Sequence, residues 1–544
     1  MEPVAGLGQM GAHHTAIDVG RDSFLIDCGV LFPAPWDVGV EHIAPPLEPA
    51  LQRAREGRLR SLLLTHGHRD HIGAVGHLAD RVPGLSVHAT PFTAALLRRV
   101  LGERSAKLDL HIVHPGRPVQ FGETTATWFG VTHSLPEACS LALETRGGTL
   151  VHSGDFRVQP DPFLGPRTDE DGLRGLGDRG VDLALVDSTG AARPGRTLSE
   201  RTVADNLAAA VDAVDGLVLI TVFSTHIERV AACVEAARRC GRVPALYGRS
   251  LESTVALARD QGIFGDHGGA LRDVEHVAKL GGRGLVVVTG TQGEWRAPLA
   301  RIARGEDPRI RVRPGDAVLW SARAIPGNDR AIGLVVNRLV DLGVSVTPPW
   351  GSAGRGLHTS GHGLRDEVGE WLSWVRPRAV LPIHGEAWHL AEHRRALLEG
   401  RPDTEVLDLR SGGAVEFGPG QAARTVGAPT DRTFPVGVGR ELWSGTERAL
   451  RDRRRIARTG VVTASVEGDR VEVVAVGVFP EAECRQAEME LRAAAQAALK
   501  QDPRPGSIED LESRVRLTLR RAVKARTGER VECIVRGRFS RHGN

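Results

Sequence analysis

Up to about residue 195, short apolar runs such as Phe24-Leu25-Ile26 and Leu62-Leu63-Leu64 recur between polar loops. Bounded runs of that length are strands, and this part reads as one layer of a β-sandwich flanked by helices. After Ser199 the period changes. The spacing predicts helices from Glu200 to Val214 and from Ile227 to Arg239, alternating with the apolar runs Leu217-Val218-Leu219-Ile220, Leu285-Val286-Val287-Val288 and Ala317-Val318-Leu319-Trp320. Continuous apolar strands alternating with helices describe a mostly parallel sheet covered on both faces. The first pattern then returns: a helix from Leu364 to Val375, a strand ending at His384, a helix from Trp388 to Leu398 and a strand near Val406-Leu407. Glycine and proline with little periodicity from Gly418 to Gly439 read as a linker. Beyond it come paired strands at Gly460 to Val466 and Val471 to Val478, two helices, and a last strand at Val531 to Val535.

Length agrees with several domains, because 544 residues exceed what one core supports. Hydrophobic residues at 41% and charged residues at 25% describe an ordinary globular chain and exclude a disordered or fibrous one. The six cysteines, Cys28, Cys139, Cys233, Cys240, Cys484 and Cys533, form no ligand spacing and no disulfide framework, which implies a reducing compartment. The first residues lack a basic segment followed by an apolar core. No apolar stretch approaches the roughly 20 residues of a membrane helix. The expectation is a cytoplasmic protein with no membrane partner. A net charge of +3 predicts no nucleic-acid partner by itself. Nearly all positive charge is arginine, and the run from Arg451 to Arg455 reads as a solvated helix face in the linker region.

The chemistry concentrates in His66-Gly67-His68-Arg69-Asp70-His71, directly after Leu62-Leu63-Leu64. A strand ending in Thr65 presents His66 and His68 on one side at its mouth, since strand side chains alternate. The following turn swings Asp70 and His71 toward a second position. Imidazole with carboxylate suits zinc or manganese, and two such ions acidify a shared water. A dinuclear site needs more ligands than one loop offers. Candidates stand at other strand-to-loop junctions: Asp27 after Phe24-Leu25-Ile26, His133, Asp155 in Ser153-Gly154-Asp155, and His384 after Ala379-Val380-Leu381-Pro382-Ile383.

These residues, in this order, resemble the metallo-β-lactamase superfamily, and later segments narrow the likeness to its β-CASP branch and the ribonuclease J family. The likeness runs through Gly6-Leu7-Gly8-Gln9-Met10-Gly11, His133-Ser134-Leu135-Pro136, Asp187-Ser188-Thr189 and Ser199-Glu200-Arg201. It continues in Gly248-Arg249-Ser250, Gly290-Thr291-Gln292-Gly293-Glu294, Ile325-Pro326-Gly327-Asn328, Thr359-Ser360-Gly361-His362 and Pro382-Ile383-His384-Gly385-Glu386. The resemblance implies an α/β chain: an αββα metallo-β-lactamase sandwich (residues 1–198 and 351–417) split by an inserted β-CASP α/β domain (199–350). A linker (418–445) and a small α/β C-terminal domain (446–544) follow.

It also implies roles. His66, His68 and His133 would hold one ion, Asp70, His71 and His384 the other, with Asp155 bridging, giving two Zn²⁺ per subunit or Mn²⁺ in their place. Asp27 would orient a ligand histidine. Asp187 and His362 would join Asp70 as catalytic groups, His362 at the scissile phosphate or the leaving group. His358, Thr359 and Ser360 would face the RNA, and Ser224, His226, Arg249 and Ser250 would hold its 5′ phosphate. Two departures from the family stand there: Gly190 where Asn is usual, and Glu228, which could weaken a phosphate contact that His226 could restore. The other histidines, His13, His14, His42, His77, His88, His111, His114, His389 and His393, read mostly as surface or helix-end residues. The implied activity is zinc-dependent hydrolysis of single-stranded RNA, endonucleolytic and 5′-to-3′ exonucleolytic, by a homodimer or homotetramer. A DNA-directed β-CASP nuclease, a small-molecule hydrolase and a catalytically silent RNA-binding scaffold are the alternatives.

Overall fold

Two mixed sheets face each other in a computed structural model of the chain, which describes residues 1–34, 37–325, 327–350, 354, 356–427, 434–438, 441–468, 470–501 and 505–538. The first sheet has six strands, in the order Glu2–Ala5, His14–Val19, Asp22–Ile26, Leu59–Leu63, Leu85–Ala89, Leu108–Ile112. The second has seven: Glu405–Val406, Ala379–Ile383, Leu183–Asp187, Gly148–His152, Cys139–Thr145, Thr124–Gly130, Val119–Phe121. Alternation sorts their side chains. Leu183 and Leu185 join Ile17, Phe24, Leu63, Trp128 and Leu141 in the core between the sheets. Ala184 and Val186 point the other way, onto Leu173, Leu176, Trp371 and Leu372 of the helices Glu170–Arg179 and Arg365–Val375. A strand buried on both faces has no polar side to show, which is why its sequence is a plain apolar run.

Between residues 199 and 350 lies a five-stranded, wholly parallel sheet, in the order Val243–Tyr247, Gly284–Val288, Val218–Thr221, Ala317–Trp320, Ser345–Thr347. The helix at Ile227–Arg239 has the bounds its period predicts, and the one at Glu200–Asp212 stops two residues earlier. The sequence reading missed Val243–Tyr247, where Pro244 hides the strand signal; this strand lies at the sheet edge, the place where a residue without an N–H is tolerated.

Contacts divide the chain into two units, Met1–Leu31 with Ala44–Arg432, and Phe32–Ile43 with Thr433–Asn544. This corrects two expectations. Residues 32–43 leave the N-terminal sandwich: His42–Ile43 pairs with Val436–Val438, which pairs with Glu441–Trp443. The expected linker is also partly structured, because Gln421–Val426 forms a hairpin with Ala414–Gly418. Residues 428–433 and 439–440 of it lie outside the described residues.

The second unit carries the sheet Arg470–Val476, Val461–Glu467, Glu532–Arg538 under the helices Glu481–Leu499 and Ile508–Thr527. Val462, Val473, Leu491, Val515 and Val535 fill its core. The arginine run lies on a largely exposed helix face, as expected, and its members are paired there. On the helix Arg448–Thr459, Arg454 pairs with Asp37 at 2.6 Å, Arg455 with Glu532 at 3.0 Å, and Arg453 lies over the Trp443 ring at 4.8 Å. No helix among the described residues is long and apolar enough to cross a membrane, and the cysteines are free thiols.

Candidate metal centre

Strand direction gathers the polar residues at one edge. Asp22–Ile26 and Leu59–Leu63 run parallel, so the loops after them, with Asp27 and with His66 to His71, emerge together. In the facing sheet Gly148–His152, Leu183–Asp187 and Ala379–Ile383 run parallel and deliver Asp155, Asp187 and His384. Asp27 (φ +57°) and His384 (φ +54°) take the left-handed conformation. Non-glycine residues hold it at a cost of order 1–3 kcal/mol, and such strain gathers where side chains must be aimed.

Asp155 Oδ2 is the hub. It lies 3.5 Å from His66 Nε2, 3.3 Å from His71 Nε2, 3.1 Å from His384 Nε2 and 3.9 Å from His133 Nε2. His68 Nδ1 is 3.1 Å from His66 Nε2 and 3.2 Å from His133 Nε2. Asp70 Oδ2 stands 3.7 Å from His71 Nε2 and 3.6 Å from His384 Nε2. Three overlapping groups result, His66, His68, His133 and Asp155, then His13, Asp70, His71 and His384, and a smaller one of Asp155, His362 and His384, the donor atoms of each within 4.8 Å of one another. The seven residues expected as ligands are all brought together. His13, expected at the surface, joins them.

The donors fit metal ions. His71 Nε2, His384 Nε2 and Asp155 Oδ1 are buried without a well-directed hydrogen-bond partner, an arrangement that folding avoids unless something else satisfies it. Burial, then the neighbouring rings, hold His66 and His133 neutral, and burial lowers His68 to about 4. Neutral imidazole is the form that binds metal. At His71 burial acts the same way, but Asp155, Asp70 and Asp27 outweigh it and raise the group to about 10; Asp155 and Asp70 likewise raise His384 well above its ordinary range. The carboxylates therefore draw positive charge to the position where an ion would sit.

The outer nitrogens are engaged. His71 Nδ1 donates to Asp27 Oδ2 at 2.7 Å, and Asp27 also accepts from the Thr65 amide and hydroxyl at 2.9 and 2.8 Å. His133 Nδ1 donates to the Gly361 carbonyl at 2.8 Å. Thr189 Oγ1 is 2.8 Å from His384 Nδ1, and Thr225 Oγ1, from the inserted domain, is 3.3 Å from His68 Nε2. The sequence reading gave these threonines no role, although Thr189 stands in the segment Asp187-Ser188-Thr189.

His362 donates from Nδ1 to Asp187 Oδ2 at 2.7 Å, and its Nε2 stands 4.0 Å from Asp155 Oδ2. The loop bearing it packs on Gly190, where a Cβ would meet the Gly363 carbonyl oxygen at 2.1 Å. Glycine at this departure from the family is what the close approach requires.

The expected 5′-phosphate group does not assemble as one pocket. Arg249 and Ser250 line a cavity of about 820 Å³ with Tyr247, Thr289, Arg296 and Arg309, and neither Ser224 nor His226 borders it. His226 is buried, accepts the Arg229 amide at Nδ1 and faces Glu200 at 3.5 Å. Ser224 and Ser360 are half-buried and Thr359 is buried. His358 Nδ1 accepts from Arg229 at 3.2 Å, turned toward that guanidinium. Glu228 is not a defect in a phosphate contact: it is buried, pairs with Arg157 at 2.8 Å and accepts the Phe163 and Leu164 amides. Of the remaining histidines, His14, His42, His77, His88 and His393 are also buried, whereas His111 and His114 are exposed and His389 half-buried. A buried ring with one polar partner, as His88 has in Ser61 at 2.8 Å, looks like a surface histidine in sequence.

Comparison with known proteins agrees with this geometry. The family model for a beta-lactamase superfamily domain matches residues 23–227, that for the ribonuclease J beta-CASP domain residues 215–339, and that for a Zn-dependent metallo-hydrolase RNA specificity domain residues 355–406. A metallo-β-lactamase domain split by an inserted β-CASP domain defines a metal-dependent hydrolase of the nuclease class. Ribonuclease J of Sinorhizobium meliloti is 35% identical over 473 residues, covering 85% of this chain and 82% of that protein. Ribonuclease J of Mycolicibacterium smegmatis is 32% identical over 465 residues, 85% of this chain and 82% of its own. The chain belongs to the ribonuclease J family. A solved structure of a protein of unknown function from Enterococcus faecalis V583 shares the fold, with a TM-score of 0.55 at 14% identity over 78% of this chain and 98% of that one.

Proposed function

We propose that this ribonuclease hydrolyses phosphodiester bonds of single-stranded RNA with two ions, zinc or manganese, in the maturation and decay of cytoplasmic RNA. The observation that carries the reading is the single atom Asp155 Oδ2, which stands between two donor groups. His66, His68 and His133 would hold one ion, Asp70, His71 and His384 the other, and Asp155 would serve both. Bound there, such ions would supply an acidified water and neutralise charge on the phosphate oxygens.

The chain's own groups supply the rest. Asp27 fixes the His71 ring so that Nε2 faces inward. Asp187 accepts the Nδ1 proton of His362, which leaves Nε2 of that half-buried ring to meet the phosphate or, when protonated, the departing oxygen. Asp187 is held below the usual carboxylate range, since His362 outweighs the effect of burial, and it stays an acceptor. Endonucleolytic cleavage and 5′-to-3′ exonucleolysis both follow from one such centre, and the second unit serves assembly into a homodimer or homotetramer.

Matched labelled RNA and DNA strands test the reading, with zinc, manganese or chelator. The RNA is cleaved, and chelator stops the reaction. Equal cleavage of DNA would favour the DNA-directed alternative, and activity that survives full metal removal would end the two-ion reading.

A further inference from the structure

An eighth donor stands beside the seven expected ligands. His13 follows the glycine-rich segment 6–11 and is 4% exposed. Its backbone is fixed to the ligand loops, with its amide donating to the Asp70 carbonyl at 3.0 Å and its own carbonyl accepting from Gly29 at 3.0 Å. The preceding residue, Ala12, is held at φ +52°, a left-handed turn that a residue with a Cβ seldom takes. Gly6 makes room for the ring, because a Cβ there would lie 2.6 Å from His13 Nδ1. The ring lies 3.9 Å from that of His384 and 4.6 Å from that of His71, centroid to centroid. Nε2 is buried with no hydrogen-bond partner, and a ring nitrogen of His13 is within 4.8 Å of the donor atoms of Asp70, His71 and His384.

We infer that His13 is a fifth protein ligand of the position formed by Asp70, His71, His384 and the shared Asp155. The inference rests on the two-ion reading above. A buried imidazole nitrogen without a partner needs a cation or a donor, and the two residues whose rings it touches have orphaned nitrogens in the same place. Its near-parallel setting, 11° from His384, does not set it apart, since His71 and His384 are themselves inclined by 16°. The consequence is asymmetry. One position has three imidazoles and the shared Asp155; the other has three imidazoles, Asp70 and the shared Asp155, and so releases its ion more slowly.

The alternative is that His13 only packs, and His13→Phe separates the two because it keeps an aromatic ring and removes the nitrogen. Ions per subunit and their release into graded chelator are read by elemental analysis and a chromogenic chelator, and cobalt(II)-loaded protein by its visible spectrum. The wild type holds two ions, one released slowly. In His13→Phe the slow ion is released at least tenfold faster and one cobalt environment changes, while the other ion behaves as in the wild type. Two ions with unchanged release and spectrum would overturn the inference. A wild type with fewer than two ions would instead remove the two-ion reading before any variant is compared. Should His13→Phe fail to fold, His13→Gly with added imidazole decides: slow release restored by free imidazole supports ligation, and no response to it overturns it.

Discussion

Asp155 and Arg157 stand two residues apart and enter two buried polar clusters of opposite construction. Arg157 pairs with Glu200 at 3.0 Å and Glu228 at 2.8 Å, and Arg229 with Glu200 at 2.7 Å and Ser321 at 2.8 Å. Two guanidiniums and two carboxylates balance, and their atoms bond one another, backbone or the side chains of Ser321 and His358, with Arg157 Nε and the adjoining His226 Nε2 the exceptions. Around Asp155, by contrast, His13 Nε2, His71 Nε2, His384 Nε2 and Asp155 Oδ1 converge without partners. A strut and a site differ in this respect: saturation joins the inserted domain to the sandwich, whereas orphaned lone pairs aimed at one point ask for a cation.

Asp155→Ala carries the largest expected effect. Partners one layer out from a metal typically cost about 10–100-fold when removed, and a carboxylate shared by two positions should exceed that, with both ion content and RNA cleavage falling. Near wild-type turnover in a metal-replete variant would mean that the convergence at Oδ2 is not a dinuclear centre. Circular dichroism should stay native, because the change removes a carboxylate and no apolar core contact.

The network should fail in the other way. Glu200→Gln leaves Arg157 and Arg229 short of a buried countercharge, which typically costs about 3–5 kcal/mol and is read as a lower midpoint in urea with ion content preserved in the folded fraction. Burial alone would raise the Glu200 carboxyl, but Arg229, His226 and Arg157 hold it well below its ordinary range. The stabilisation of a depressed carboxyl is complete above the unfolded value near 4.3 and is lost as pH falls through the folded value. The wild type should therefore lose its advantage over Glu200→Gln below about pH 4. An advantage that grows on acidification would refute the assignment.

Asp27→Asn tests the boundary between the two kinds of cluster. Asp27 saturates Thr65 as the network saturates its members, yet it also holds His71 Nδ1 at 2.7 Å. Loss of such an orienting partner typically costs about 10–100-fold in metal affinity, and it should fall on the ion of His71. Equal weakening of both ions would show that Asp27 acts on the fold at large.

Legibility in the sequence followed the same division. The ligands could be read because metal chemistry restricts residue type and His66 to His71 sit in one loop. Arg157, Glu200, Glu228 and Arg229 come from separated segments, each an ordinary charge in its own surroundings; only the fold reveals them as buried, and Glu228 was misjudged for that reason. His13 escaped through strand direction. The junction rule was applied to strand ends, but His14–Val19 runs antiparallel to Asp22–Ile26, with Thr15 opposite Ile26, so its beginning lies at the edge where its neighbour ends. The pairing of His42–Ile43 with Val436–Val438 is a long-range β contact that no local period encodes.

Thr225→Val carries the smallest effect and asks whether the two clusters are independent. Its hydroxyl is 3.3 Å from His68 Nε2 and reaches the metal group from the inserted domain. That bond is long, whereas the network crosses between the same two domains by several short charged bonds, among them Arg157 to Glu228 at 2.8 Å. A single neutral hydrogen bond is worth roughly 0.5–1.5 kcal/mol, and Thr225→Val removes the hydroxyl with little change of shape. Release of the ion on His66, His68 and His133 should quicken by no more than about tenfold, with the ion on Asp70, His71 and His384 unaffected and the unfolding midpoint shifted only slightly. A large fall in the midpoint would mean that the inserted domain is held at Thr225 and not by the arginine–glutamate network, and the two clusters would then have to be treated as one.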